Sequence, residues 1–388
     1  MQRVAQDWLV LQLTHGSGTA LGIVAGLQFL PQLLFSLWGG VIADRYRKRT
    51  ILLTTQAIMG MLALILGILA LTGVVAVWQV YLLAFALGMV AVVDNPARQT
   101  FVAEMVGTAG MANAIALNSA TFNLARIVGP AVAGLVIAAV GTPAAFLVNA
   151  ASYGAVLAGL KLMRESELRP LARAPKARGQ FAETFSYVRA RPDLWLTLVL
   201  VFFVATFGMN FQVTTALMAK GVFGTGASEF GLASAAFALG AVGGALAAAR
   251  RARPSMRLML VTALAFGVLE VATGLMPVFW SFLAMLVPTG MAVLMFTTAA
   301  NSTTQLGTTP AVRGRVMGLY MLVFLGGTPL GAPLVGWAAE QFGARAGLIG
   351  GGIISAAAAV GVALLLARAR GTRLRAYLRP AALARAHA

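Results

Sequence analysis

Apolar residues run through this chain in long blocks rather than in the narrow stripes of soluble helices. The stretch 51–71, ILLTTQAIMGMLALILGILAL, holds no ionisable group and matches the roughly 20 residues a helix needs to cross a bilayer. An amphipathic soluble helix keeps a polar face, and this segment reads as having none. Nor do apolar and polar residues alternate in segments of about ten, as a membrane β-barrel requires. Only spanning helices then satisfy every backbone group in lipid. The apolar blocks, divided at charged or Gly/Pro-rich breaks, predict twelve spans. They lie near 1–13, 20–42, 51–71, 78–93, 112–139, 143–163, 193–218, 229–249, 257–275, 278–299, 315–337 and 347–367.

The first span is short. A helix over 1–13 rises only ~20 Å against roughly 30 Å of hydrocarbon. Asp7 interrupts its apolar region and no small-residue cleavage site follows, which argues against a signal peptide. The expectation is a chain that begins inside its first helix, at an internal methionine.

Composition agrees with the pattern. Hydrophobic residues make up 60% and charged residues 10% of the 388, where soluble domains carry about 25% charged residues. The net charge of +18 would suit nucleic acid if it were gathered on one folded face. Instead it is spread over short turns. Of the 29 lysines and arginines, only Lys220 and Arg345 fall in odd-numbered loops, and only Arg3 and Arg126 lie within spans away from their loop ends. Cytoplasmic loops collect basic residues, so the even loops and the C-terminal tail are expected in the cytoplasm. With no cysteine and only His15 and His387, neither a disulfide framework nor a metal site is expected. No P-loop and no nucleophile–base set is present, so the chain is read as no enzyme, without cofactor.

The longest polar stretch divides the chain. Residues 1–163 form an N-terminal six-helix half and 193–367 a C-terminal one; 368–388 is a basic tail. The linker 164–192 contains RPLARAPKARG and then FAETFSYVRA, which predicts a short amphipathic helix on the membrane surface. An internal repeat supports the division. Gly39-Gly40 recurs as Gly243-Gly244, Gly88-Met89 as Gly290-Met291, and Pro130 as Pro333, at offsets of 204, 202 and 203. Two similar halves of this kind rock around a site near the midplane.

Four ionisable groups fall within spans away from their loop ends: Arg3, Asp7, Arg126 and Glu270. Each costs about 2.5–3.5 kcal/mol at the bilayer centre and so needs a reason. Arg3 and Asp7 are four apart and share a helix face. Ser119, Asn123 and Arg126 form a stripe at helical spacing, and Arg126 is expected to pair with Asp7. That pair serves either a substrate cavity or the packing of span 1 on span 5. Glu270, toward one end of span 9, is expected to reach interfacial water. Asp7 is the better proton carrier of the two. An apolar cavity with a few polar groups is expected from Gln28, Phe29, Gln32, Asn123, Phe207, Asn210 and Gln212.

The second loop, GVIADRYRKR at 40–49, resembles the loop signature of the major facilitator superfamily. Gly40, Asp44, Arg45, Lys48 and Arg49 occupy matching positions, while Arg47 stands where the family usually has Gly. The resemblance implies that Gly40 allows close packing and that Asp44 helps lock a cytoplasmic gate. Asp94, Arg98 and Glu104 are expected to join Asp44 and Arg45 in an ion-pair cluster at that face. Further stretches are similar to a bacterial branch that includes the enterobactin exporter and related drug-efflux permeases: MQRVAQDWLVLQLT (1–14), DNPARQTFVAEMV (94–106), NAIALNSATFNLARIVGPAVAG (113–134) and RGRVMGLY (313–320). The first of these normally sits inside span 1. Within the third, ARIVGPAVAG resembles the Gly-Pro antiporter signature, so Gly129, Pro130 and Gly134 are expected to loosen span 5 and pack it closely. Many members carry an Arg in span 4 where this chain has Ala84, so coupling through that Arg does not carry over.

The resemblance implies a twelve-helix, all-α membrane fold of two pseudo-symmetric halves, with the first helix cut short. It implies a monomeric exporter of a small amphipathic molecule, drug-like or a siderophore, driven by protons. Two alternatives stay open: an importer or facilitator on the same fold, and a non-transporting sensor or inactive truncated form. Nothing in the residues names a cargo.

Overall fold

A computed structural model describes residues 1–106, 110–164, 181–250 and 255–369. Among them the chain is helical throughout, with no strand. The elements are α1 (Gln2–Leu13), α2 (Gly18–Arg45), α3 (Lys48–Leu71), α4 (Val77–Val106), α5 (Met111–Val140), α6 (Thr142–Leu162) and α7 (Phe181–Arg189). Then follow α8 (Pro192–Phe203), α9 (Phe211–Leu217), α10 (Ala227–Ala249), α11 (Met256–Gly274), α12 (Phe279–Leu306), α13 (Pro310–Phe342) and α14 (Ala344–Ala369). Span 7 is composite. Two π-helical turns, Val204–Gly208 and Met218–Val222, interrupt α8 and α9 within one apolar stretch from Pro192 to Val222. Among the described residues eleven helical stretches are long and apolar enough to cross a membrane, and α1 precedes them. The fold is that of an all-α membrane protein. FAETFSYVRA forms α7; RPLARAPKARG and the tail from 370 onward lie outside the described residues.

Local chemistry sets the boundaries. Ser17 and Ser255 cap α2 and α11, their hydroxyls accepting from the backbone N–H of Ala20 and Leu258 at 3.2 Å each. Gly141 (φ 87°) and Gly343 (φ 91°) turn the chain between α5 and α6 and between α13 and α14, in a backbone region that other residues rarely enter. Large apolar side chains such as Leu117, Leu162 and Trp280 are exposed, as lipid-facing positions of spanning helices are.

The chain divides into two compact units. Unit 1 holds Met1–Lys176, Gln212–Ala235 and Ala332–Ala344; unit 2 holds Ala177–Phe211, Ala236–Gly331 and Arg345–Ala388. In unit 1, Val4, Trp8 and Leu11 of α1 share a core with Phe146 of α6 and Phe230 of α10. In unit 2, Phe211 stacks on Phe237 with ring centroids 4.3 Å apart and meets Phe266 at 5.9 Å.

Glycines pack both crossings, but from different places in the repeated pair. Gly39, the first of its pair, makes the contact in one copy and Gly244, the second of its pair, in the other, while a Cβ at Gly40 or Gly243 would meet no described atom within 4 Å. A Cβ at Gly39 or Gly88 would strike the carbonyl of Val92 or Gln28, across α2 and α4. Likewise Gly244 and Gly290 meet the carbonyls of Met291 and Phe237, across α10 and α12. Small residues that let helix backbones touch are the usual glue between spans. Here both copies place them at one crossing.

Candidate functional site

The polar side of α1 is spent on neighbouring helices of unit 1. Gln2 Oε1 accepts from Asn149 Nδ2 at 2.9 Å, and Gln12 Oε1 from Thr142 Oγ1 at 3.0 Å, both on α6. Asp7 is buried and its Oδ2 accepts from Gln212 Nε2 at 2.5 Å. One turn on, the Leu11 carbonyl accepts from Lys220 Nζ at 2.6 Å. Span 1 is thus stitched to the second part of span 7.

The expected Arg126–Asp7 pair does not form. Arg126 is exposed and makes no ion pair among the described residues. Gln212 takes the open side of the carboxylate, so Asp7 is satisfied by a neutral amide instead. Arg3 does not bridge to Asp7 either: its guanidinium carbon lies 4.7 Å from the Phe29 ring centroid, a cation–π contact. Of the expected cavity groups, Gln28 is buried and Gln32 half-buried on α2. Asn123 Nδ2 turns back to the Ser119 carbonyl at 2.8 Å. Asn210 belongs to unit 2 and is no free cavity group. It is buried, and its amide donates to the Thr206 carbonyl at 2.7 Å, satisfying backbone where the π turn ends.

At the end of unit 1 that carries loops 2 and 4, the expected single cluster splits in two. Asp94 is buried; its Oδ1 accepts from Thr55 Oγ1 and Gln56 Nε2 at 2.7 Å each. Its Oδ2 accepts from Arg98 Nε at 3.1 Å and Nη2 at 2.6 Å. Separately, Lys48 Nζ pairs with Glu104 Oε1 at 2.5 Å. Asp44 is exposed and belongs to neither, because it sits in the last turn of α2, on the far side of the bend that starts α3. Arg49 caps α6, donating to the carbonyls of Leu160 (2.8 Å) and Lys161 (2.9 Å). Gly40 is not the packing glycine: a Cβ there meets no described atom within 4 Å, and Gly39 makes the close approach instead.

The opposite end, with loops 1, 7 and 11, holds a tight seam. A Cβ on Gly18 or Gly336 would fall on the other's carbonyl oxygen, and one on Gly22 would strike Ala332. Glu340 Oε2 sits over the start of α2, accepting from Ser17 Oγ at 2.9 Å and the Thr19 N–H at 2.8 Å. A carboxylate is favoured at a helix N-terminus. Gly134 of α5 packs against Gly231 of α10, whose own Cβ would lie 2.5 Å from the Pro130 carbonyl. Gly129 has only the Met1 nitrogen nearby, at 3.8 Å.

Glu270 corrects the expectation that it reaches water. It is 1% exposed, inside unit 2, against Gly208 and Gly351. The helix places it on the face turned to α14 rather than to lipid.

Residue-by-residue reading missed Thr55, Gln56, Lys220 and Glu340. Thr55 and Gln56 carry a signal: two polar residues side by side in span 3, a segment whose apolar pattern shows no polar face, need a buried partner. Glu340 lies just past the predicted end of span 11, so nothing in the sequence marks it as part of a helix crossing.

Comparison with known proteins gives the frame for these contacts. The family model described as transmembrane secretion effector matches residues 1–378. The multidrug efflux pump Tap of Mycolicibacterium fortuitum is 28% identical over 88% of this chain and 86% of its own length. The enterobactin exporter EntS of Shigella flexneri is 27% identical over 86% and 79%. A Staphyloferrin A transporter of Staphylococcus aureus is 30% identical, over only 39% of this chain and 38% of that protein. Among solved structures, the nucleoside transporter NupG aligns with a TM-score of 0.74 at 13% identity, covering 94% of this chain and 96% of that one. A bacterial homologue of the lysosomal transporter Spinster, inward-facing and occupied, gives 0.72 at 16%, covering 96% and 95%. Both structural likenesses establish the fold. With a model matched over nearly its whole length, the chain belongs to the transmembrane secretion effector family of major facilitator transporters, which are not enzymes.

Proposed function

We propose that this protein is a proton-driven exporter of a small amphipathic molecule, working by alternating access. The observation that carries the reading is the buried contact between Asp7 and Gln212. It joins span 1 to span 7 through a group that takes up and releases a proton. An ionised Asp7 accepts from the Gln212 amide. Once protonated, the carboxyl loses much of that attraction, since hydrogen bonds to charged groups are the stronger kind. Proton uptake at Asp7 thereby loosens the seam that Gly18, Gly336 and Glu340 close. The efflux pump and siderophore exporter among the relatives support export and an amphipathic cargo. The basic even loops support a bacterial inner membrane with those loops and the tail in the cytoplasm. Asp44, Arg45, Lys48 and Arg49 then belong to the cytoplasmic gate, and the protein works as a monomer.

Everted vesicles carrying a pH-sensitive dye test this directly. Candidate amphipathic compounds should release protons from vesicles with wild-type protein. Asp7→Asn should abolish that release while the protein stays in the membrane. Compound-driven proton release that persists unchanged in Asp7→Asn rules out Asp7 as the coupling group.

A further inference from the structure

A second buried carboxyl has no place in that scheme. Glu270 of α11 is 1% exposed, and its Oε2 has no hydrogen-bond partner among the described residues. Ser355 of α14 is fully buried, and its Oγ is likewise unpartnered. The two oxygens converge on one glycine. A Cβ at Gly208, in the π turn of span 7, would lie 2.5 Å from Ser355 Oγ and 3.1 Å from Glu270 Oε2. A Cβ at Gly351 would lie 3.0 Å from Glu270 Oε1 and 2.6 Å from the Phe207 carbonyl. Two glycines therefore make room for the carboxyl on two sides, and any larger residue at either position would push it out.

An ionised carboxylate in such a place needs a cation or several donors. None is present among the described residues. Glu270 forms no ion pair there. The π turn, α9 and α12 carry no charged side chain. On α14, Arg345 spends its guanidinium on the Gly274 carbonyl at 2.8 Å, where it caps the end of α11, and Arg368 lies at the helix's other end. Asp193 of α8 and Arg257 of α11 stand at the even-loop ends, Arg257 about 20 Å along the axis from Glu270. A divalent metal cation would want six or more oxygens, and this pocket offers one carboxyl, one hydroxyl and the Phe207 carbonyl. A proton needs only the carboxyl and one acceptor.

We propose that Glu270, with Ser355 and the π turn Val204–Gly208, forms a proton-binding site in unit 2, separate from Asp7. In this conformation the carboxyl carries its proton, with Ser355 Oγ an unpartnered acceptor beside the same glycine. π turns recur at functional sites, and interrupted spanning helices line the ion sites of transporters. Rewinding the turn would move Gly208 and Phe207 and open the pocket to water, which is what would let the proton leave. The site rests on burial and packing alone, so it stands or falls independently of cargo, direction and the role of Asp7.

Infrared difference spectroscopy of the purified full chain, stepped in pH, reads protonated carboxyls directly. A carboxylic C=O band should titrate in wild-type protein, vanish in Glu270→Gln and persist in Asp7→Asn. Ser355→Ala, which keeps the carboxyl and removes its acceptor, should shift that band. The serine variant decides the question if Glu270→Gln does not fold. A band untouched by either variant overturns the proposal. So does sodium chloride, but not choline chloride, raising the unfolding temperature of wild type and not of Glu270→Gln, since that result would make the site one for a metal cation.

Discussion

Gly18 and Gly336 meet backbone to backbone, each standing where the other's side chain would have to go. The contact brings α2 against α13 with no side chain between them, and Glu340 seals it from above. Replacing Gly336 with Val should wedge the helices apart. In a chain without native cysteine, one cysteine placed at the half-buried Thr14, in the loop before α2, should then react faster with an impermeant maleimide. An unchanged labelling rate would show that the seam does not close this end.

Glu340 adds a weaker hold. Its carboxylate is exposed and screened, so Glu340→Gln should loosen the seam by about 0.5 kcal/mol. In the same labelling assay that is about a twofold change. The gain should shrink as salt rises; insensitivity to salt would mean that the helix end is held by shape alone.

Asp94 makes the opposite case, a buried charge with four donated hydrogen bonds. Asp94→Ala strands the buried Thr55 and Gln56, while the exposed Arg98 returns to solvent, and should cost about 2 kcal/mol, read as a lower unfolding temperature in detergent. Asp94→Asn still offers one carbonyl oxygen to Thr55 and Gln56 and should cost less. Equal losses would mean that the hydrogen bonds of Oδ1 contribute nothing.

Lys48 and Glu104 are both largely shielded and touch only across α3 and α4. Reversing either charge should weaken unit 1, and Lys48→Glu with Glu104→Lys together should recover most of the loss. A double variant no better than the singles would show that position, not charge, matters at that pair.

What the sequence could and could not tell follows from the kind of force involved. Hydrophobic length is a local property, so the spans were legible from apolar runs alone, though the π turns inside span 7 were not. The glycine repeat was legible too, because both copies keep glycine where α2 crosses α4 and α10 crosses α12. Pairings were not. Arg3, Asp7 and Arg126 could be matched by spacing and sign, yet Asp7 takes a neutral amide and Arg3 an aromatic ring. Which donor reaches a carboxylate depends on helix rotation within a fraction of a turn, and apolar blocks leave that rotation open. Glu270 failed for the same reason: its depth was judged from position along the span, while its burial comes from the face it shows to α14.

The π turn in span 7 fixes such a rotation. Each residue added to a helix advances its phase by about 100°, and a π turn holds one more residue than regular winding would. Within unit 2 that extra residue turns Gly208 toward Glu270 and Ser355. Deleting one residue between 204 and 208 would restore even winding and swing Gly208 off the carboxyl, closing the room that the missing side chain leaves.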